Sequence, residues 1–187
     1  MVKQEVHSSQ FTYEDYLLFP DDGKRHEIID GDHCVTPAPK TKHQKVSFNL
    51  TIAIGSFVKQ RGLGLVLAAP FDVILSDEDV VQPDLLFVST ARAGIVTEDN
   101  IRGAPDLVVE IISETTRKKD EVTKRKLYER FGVQEYWVVD PELETAKIFR
   151  RTQRGYGRAV ELSKEANDTL TTELFAGFEL ALTEIFN

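Results

Sequence analysis

The chain is 187 residues long, 41% apolar and 29% charged, with a formal charge of −8 and a single cysteine, Cys34. A chain of this length buries on the order of 70% of its unfolded surface as one domain, so it needs no staple, and one cysteine excludes an intrachain disulfide or a CxxC metal or redox site. Apolar stretches such as Leu65 to Ala69 fall far short of the roughly 20 residues that span a bilayer, and the polar start Met1 to Gln10 lacks the apolar segment of a signal peptide; the expectation is a single cytoplasmic domain over 1–187, without a membrane partner.

Thr12 is placed to cap a short helix through Leu18, ended by the turn cluster Pro20-Asp21-Asp22-Gly23. Arg25 to Ile29 and His33 to Thr36 flank Asp30-Gly31-Asp32 and read as a tight hairpin. From Lys40 to Lys59, Val46, Leu50, Ile54 and Val58 recur every fourth residue, the stripe of an amphipathic helix. Gly62-Leu63-Gly64 lacks the third glycine of a nucleotide-binding loop, since Leu67 stands there, and reads as the end of that helix. Leu63 to Leu75 reads as one long strand or two broken near Pro70, and Val80 to Val88 as another, with Pro83 marking a start or a sheet edge. Asp106 to Ile112 is almost continuously apolar, as a strand covered on both faces would be. Arg117 to Phe131 is helical, stopped by Gly132. Gln134 to Asp140 and Ala146 to Arg150 pair across Asp140-Pro141, and residues 151–187 add strands and a short last helix. The pattern predicts an α/β (or α+β) fold, a mixed sheet flanked by helices.

Three residues stand in costly places. Glu110 lies between Val109 and Ile111 in the apolar strand, where an unpaired carboxylate costs several kcal/mol and calls for a cation, a lysine or a raised pKa; a half-exposed strand with Glu110 facing water is the alternative. Asp84 opens the run Leu85-Leu86-Phe87-Val88, and neighbouring strands about 4.8 Å apart would let it share a divalent ion with Glu110. Asp106 shares a face with Glu110 but lies about 13 Å along the strand, too far for a common ion. On a wheel of 100° per residue Lys124 falls within the apolar stripe of Leu127, Tyr128 and Phe131, whereas Lys126 points to water; such a lysine needs an acid partner or snorkels to the edge. In the same segment Arg117, Lys118, Lys119, Lys124, Arg125, Lys126 and Arg130 outnumber Asp120, Glu121 and Glu129. Arg117, Lys118 and Lys119 crowd the helix start, where the macrodipole disfavours cations. Phosphate binding or plain solvation would account for them.

These residues resemble the Uma-type restriction endonuclease family, a branch of the PD-(D/E)xK nucleases. The likeness runs from about Phe11 to Arg150, through Tyr13, Glu27-Ile28-Ile29-Asp30-Gly31, Pro37, Pro39, His43, Gln82-Pro83-Asp84 and Pro105 to Ser113. It continues through Asp120, Lys124, Tyr128 and Gly132 to Pro141. The resemblance implies a restriction endonuclease-like mixed β-sheet core, bound Mg2+ (or Mn2+) and hydrolysis of DNA phosphodiester bonds. It implies that Asp84, Glu110 and the Ile111 carbonyl hold the ion and that Glu27 is an auxiliary acid. The resemblance also implies that Lys124 supplies the lysine expected where Ile112 stands and that His43 touches substrate, although a histidine opening a helix also reads as structural. A cut on both strands would favour a homodimer. The competing expectation is a catalytically inactive nucleic-acid-binding or assembly module on the same scaffold, which the net charge of −8 and the lysine missing at Ile112 keep open. A carboxylate-pair glycosidase is a third reading, against which Lys124 argues.

Overall fold

The computed structural model describes residues 10–187, so the reading of Met1 to Gln10 falls almost wholly outside the described residues. In chain order the elements are α1 (Tyr13–Tyr16), β1 (Arg25–Ile29), β2 (Asp32–Thr36), α2 (Thr41–Arg61), β3 (Gly64–Ala68), β4 (Asp72–Ser76), β5 (Asp79–Val81), β6 (Leu85–Ser89), a 3-10 turn (Thr90–Ile95), β7 (Asn100–Arg102) and β8 (Leu107–Ile111). A π-helical segment (Lys119–Lys124) then runs into α3 (Arg125–Phe131), followed by β9 (Glu135–Asp140), β10 (Thr145–Thr152), β11 (Gly155–Tyr156), β12 (Val160–Ser163), β13 (Thr169–Thr171), β14 (Glu179–Ala181) and α4 (Leu182–Ile185).

A large mixed sheet, ordered β11-β10-β9-β8-β6-β3 with β12 also on β10, forms the centre, and a smaller one, β2-β1-β5-β4-β7, lies beside it. Only β8–β9 in the large sheet is parallel, which is why that connection carries a helix. Strand alternation decides the layers. Leu85, Phe87, Leu107, Val109, Trp137 and Val139 pack with the stripe Val46, Leu50, Ile54 and Val58 of α2. The intervening Leu86, Val88, Val108, Tyr136 and Val138 pack with Leu127 and Tyr128 of α3 and with Val73, Val81 and Ile101 of the small sheet. By the same parity, Asp84 and Glu110 belong to the second face, between α3 and the small sheet.

The hairpin β1–β2 closes with two residues, Asp30 and Gly31, both at positive φ, as a type I′ turn requires. The helix from Thr12 is shorter than predicted: Thr12 and Asp15 form a capping box, and α1 ends at Tyr16. Val80 to Val88 is not one strand. The chain changes sheets at Pro83, whose missing N–H cannot serve a ladder, leaving β5 in the small sheet and β6 in the large one. Leu63 to Leu75 forms two strands either side of Pro70. Cys34 is half-buried on β2. The C-terminal third contributes more than extra strands, because Phe175, Phe178, Leu180, Leu182 and Ile185 complete the core beneath α2. Among the described residues no helix is long and apolar enough to cross a membrane.

Candidate active site

β6 and β8 run antiparallel with Leu85 opposite Val109, so one step further sets Asp84 opposite Glu110 on the same face. Both are about 3% exposed. Asp84 is fully engaged: Arg25 donates to Oδ1 at 2.6 Å, while His43 Nε2 (3.1 Å) and the Ile111 N–H (2.8 Å) meet Oδ2. Burial opposes ionisation of Asp84, but His43 and Arg25 outweigh it and hold the carboxyl below its ordinary range.

Lys124 faces inward, 3% exposed, and its partners lie on two layers. It donates to Glu27 Oε1 of β1 at 2.6 Å and to Glu110 Oε1 of β8 at 2.9 Å, with Asp120 Oδ1 further off at 3.9 Å. Neither snorkelling of Lys124 nor a solvent-facing Glu110 survives this geometry. Glu27 is the anchor of the group: it accepts the Gln82 N–H at 3.1 Å and Lys119 at 3.2 Å besides Lys124. Burial would raise its pKa, but Lys124 and Lys119 pull it below the usual value. Burial likewise opposes the charge of Lys124, and Glu110, Glu27 and Asp120 overcome it, keeping the ammonium well above its ordinary pKa.

Glu110 shares its cation, Lys124, with Glu27. Burial, with the charges of Asp120, Asp84 and Glu27, outweighs Lys124 and pushes its carboxyl up to about 8. The ammonium is shared between Glu27 at 2.6 Å and Glu110 at 2.9 Å, and burial favours the protonated form of Glu110. Its Oε1 accepts from Lys124 and, at 2.7 Å, from the Tyr128 hydroxyl. No hydrogen bond engages Oε2 among the described residues, and Glu110 lines a cavity of about 570 Å³. Arg25, Glu27, His43, Asp84, Ile111, Lys119, Asp120 and Lys124 line the same cavity.

The π-helical turn explains how one short segment supplies three of these groups. Its i→i+5 bonding widens the turn, so Lys119, Asp120 and Lys124 all face the cavity, and Lys119 and Lys124 grip opposite oxygens of Glu27. The other two basic residues of the helix start lie elsewhere. Arg117 Nη1 is 2.6 Å from Asp140 Oδ2, and Lys118 is exposed and outside the cavity lining. Neither stands in the cavity as a phosphate ligand. Asp106 serves the opposite end of β8, accepting from the Ser89 N–H at 2.7 Å.

Arg25 is the site residue that inspection of the sequence passes over. Its signal is the two-residue spacing from Glu27, which places both side chains on one strand face. Among the described residues no three His, Cys, Asp or Glu side chains are grouped to hold a metal ion. The carboxylate oxygens that would hold a cation are Oε2 of Glu110, which no hydrogen bond engages among the described residues, and those of Asp84 once Arg25 and His43 release them. That all-oxygen donor set fits Mg2+, which uses one or two carboxylates and keeps several waters, although Asp84 is meanwhile neutralised by Arg25.

No curated protein matches the chain. Among solved structures, one described as "a putative nuclease belonging to DUF820" from Anabaena variabilis ATCC 29413 superposes with a TM-score of 0.79 at 20% identity, covering 94% of this chain and 97% of that one. The shared fold is the restriction endonuclease-like α/β fold, with its mixed sheet flanked by helices. The model of the family described as "Uma2: Putative restriction endonuclease" matches residues 13–183, well beyond the Arg150 limit read from the sequence, and the chain belongs to that family.

Proposed function

We propose that the chain is a metal-dependent nuclease that hydrolyses DNA phosphodiester bonds. The observation that carries the reading is the meeting of Asp84, Glu110 and Lys124, from two opposed strand positions and the following helix, in one cavity. Asp84 and Glu110 would hold Mg2+ or Mn2+; when bound, the cation supplies Lewis acidity toward the scissile phosphate and the attacking water. Arg25 must then yield Asp84 Oδ1, and the guanidinium so released remains beside the phosphate it can bind. An ammonium has three donors. Two of those on Lys124 are spent on Glu27 and Glu110, leaving the third to orient the water. The water oxygen bonds to phosphorus, one P–O ester bond breaks, and a proton passes to the leaving oxygen, giving a phosphate monoester and a hydroxyl.

The test is cleavage of labelled DNA in Mg2+ by wild type, Glu110→Gln and Asp84→Asn. Wild-type cleavage abolished by EDTA and lost by a factor on the order of a hundred or more in both variants is expected. Equal cleavage by all three rejects the site. Tight binding without turnover in any divalent cation returns the reading of an inactive binding module.

A further inference from the structure

Resting on the nuclease reading, we infer that the substrate is a flexible single strand of DNA, a free end or an unpaired stretch, and not continuous duplex. Two observations point that way. The first is depth. Asp84, Glu110 and Lys124 are each about 3% exposed, at the floor of a cavity of about 570 Å³. Such a volume lies within the roughly 300–1,000 Å³ that accepts a drug-sized molecule, the scale of one or two nucleotides. Its rims are the Pro37-Ala38-Pro39 loop, the Ser113 to Thr116 loop and the Pro141-Glu142 turn. Lys42 at the start of α2 reaches Glu142 at 2.7 Å, an exposed contact between that helix and the third rim. Duplex DNA is stiff over about 150 base pairs and cannot fold a phosphate between such walls, whereas a single strand bends at each nucleotide.

The second observation is the state of the cations. Duplex binding draws its affinity from several Lys and Arg that neutralise successive phosphates. In this cavity Arg25 is held by Asp84, Lys42 by Glu142, Lys119 by Glu27, and Lys124 by Glu27 and Glu110. Lys40, also in the lining, is in no ion pair among the described residues, and Glu114 adds a negative charge to the same lining. The cavity can meet one or two phosphates and offers no basic track for a longer rigid polyanion. The chain's charge of −8 deepens that bias.

The experiment presents one labelled sequence as a single strand, as blunt duplex and as duplex with an unpaired tail, in Mg2+. It also measures binding of each by fluorescence anisotropy to Glu110→Gln. Cleavage confined to the single strand and the tail, with binding at least about tenfold tighter than to blunt duplex, supports the inference. Blunt duplex cut or bound as well as the single strand overturns it. If nothing is cut, the nuclease reading fails on its own, and the anisotropy ratio still decides the preferred ligand: tighter single-strand binding supports the inference, and equal or absent binding overturns it.

Discussion

Burial, together with the charges of Asp120, Asp84 and Glu27, pushes the Glu110 carboxyl up against the pull of Lys124. The consequence for stability has a definite sign. An acid whose pKa rises from 4.5 to about 8 on folding binds more protons in the native state between those values, so stability falls as pH rises through that window. The raised pKa of Asp120, driven by burial, acts in the same direction. Urea midpoints of metal-free protein should therefore drop between pH 5.5 and 8.5, and Glu110→Gln should flatten the drop; a slope unchanged by the substitution would refute the assignment. The proton and a cation compete for the same oxygens, so the gain in midpoint on adding Mg2+ should grow with pH over the same range. Much of this chemistry was legible in the sequence. A glutamate inside Leu107 to Ile112 and a lysine inside an apolar helix stripe are too costly to stand there unpartnered. Arg25 was legible only as a residue sharing a strand face with Glu27; its partner Asp84 lies 59 positions later and only the fold brings the two together.

At the scale of elements, local pattern spoke clearly where one face alone is buried. The four-residue spacing of Val46, Leu50, Ile54 and Val58 names the buried residues of α2 without help from tertiary structure. It spoke less clearly where the chain changes layer. Val80 to Val88 is apolar throughout because both of its strands are buried, and nothing in hydrophobicity alone says that they belong to different sheets. The wheel that turned Lys124 inward assumed an α-helical period, and the π-helical segment keeps that face while adding Lys119 to it. Gly64, at the entry to β3, has a role no periodicity reveals. A Cβ there would fall on the Val88 carbonyl oxygen and within 2.9 Å of Ser89 Cα, both in the paired strand β6. Since backbone cannot step aside as a flexible side chain can, Gly64→Ala should destabilise by about 1–3 kcal/mol, read as a lowered urea midpoint with unchanged m-value. Asp79 is a second such point. It is 4% exposed and accepts the Asp30 N–H, the Ser76 hydroxyl and Arg130. Asp79→Ala strands these donors, and about 2–4 kcal/mol of lost stability is expected.

Over the whole molecule, ionic contacts join the small sheet to the helical layer on the large one. Arg130 of α3 reaches Asp30 and Asp79, while Lys124, just before α3, reaches Glu27 on β1. In the first set Arg130 and Asp30 are about half in water and only Asp79 is buried; in the second both members are buried, at the site. If the pair Glu27–Lys124 were chiefly a device for stability, a hydrophobic pair of like volume would serve as well, since desolvating two charges cancels most of their attraction. Removing one member is a different matter, because the other is left charged and dry. Lys124→Met and Glu27→Gln should each cost on the order of 3–5 kcal/mol, while the double variant should recover most of that loss. Urea denaturation of the four proteins gives the coupling energy directly. Strong coupling, with the double variant folded yet inert toward DNA, would place the pair in the chemistry and leave the scaffold standing on its two apolar cores. Additive losses would mean instead that each group has other partners sufficient to hold it, and that the ion pair does not bind the layers together.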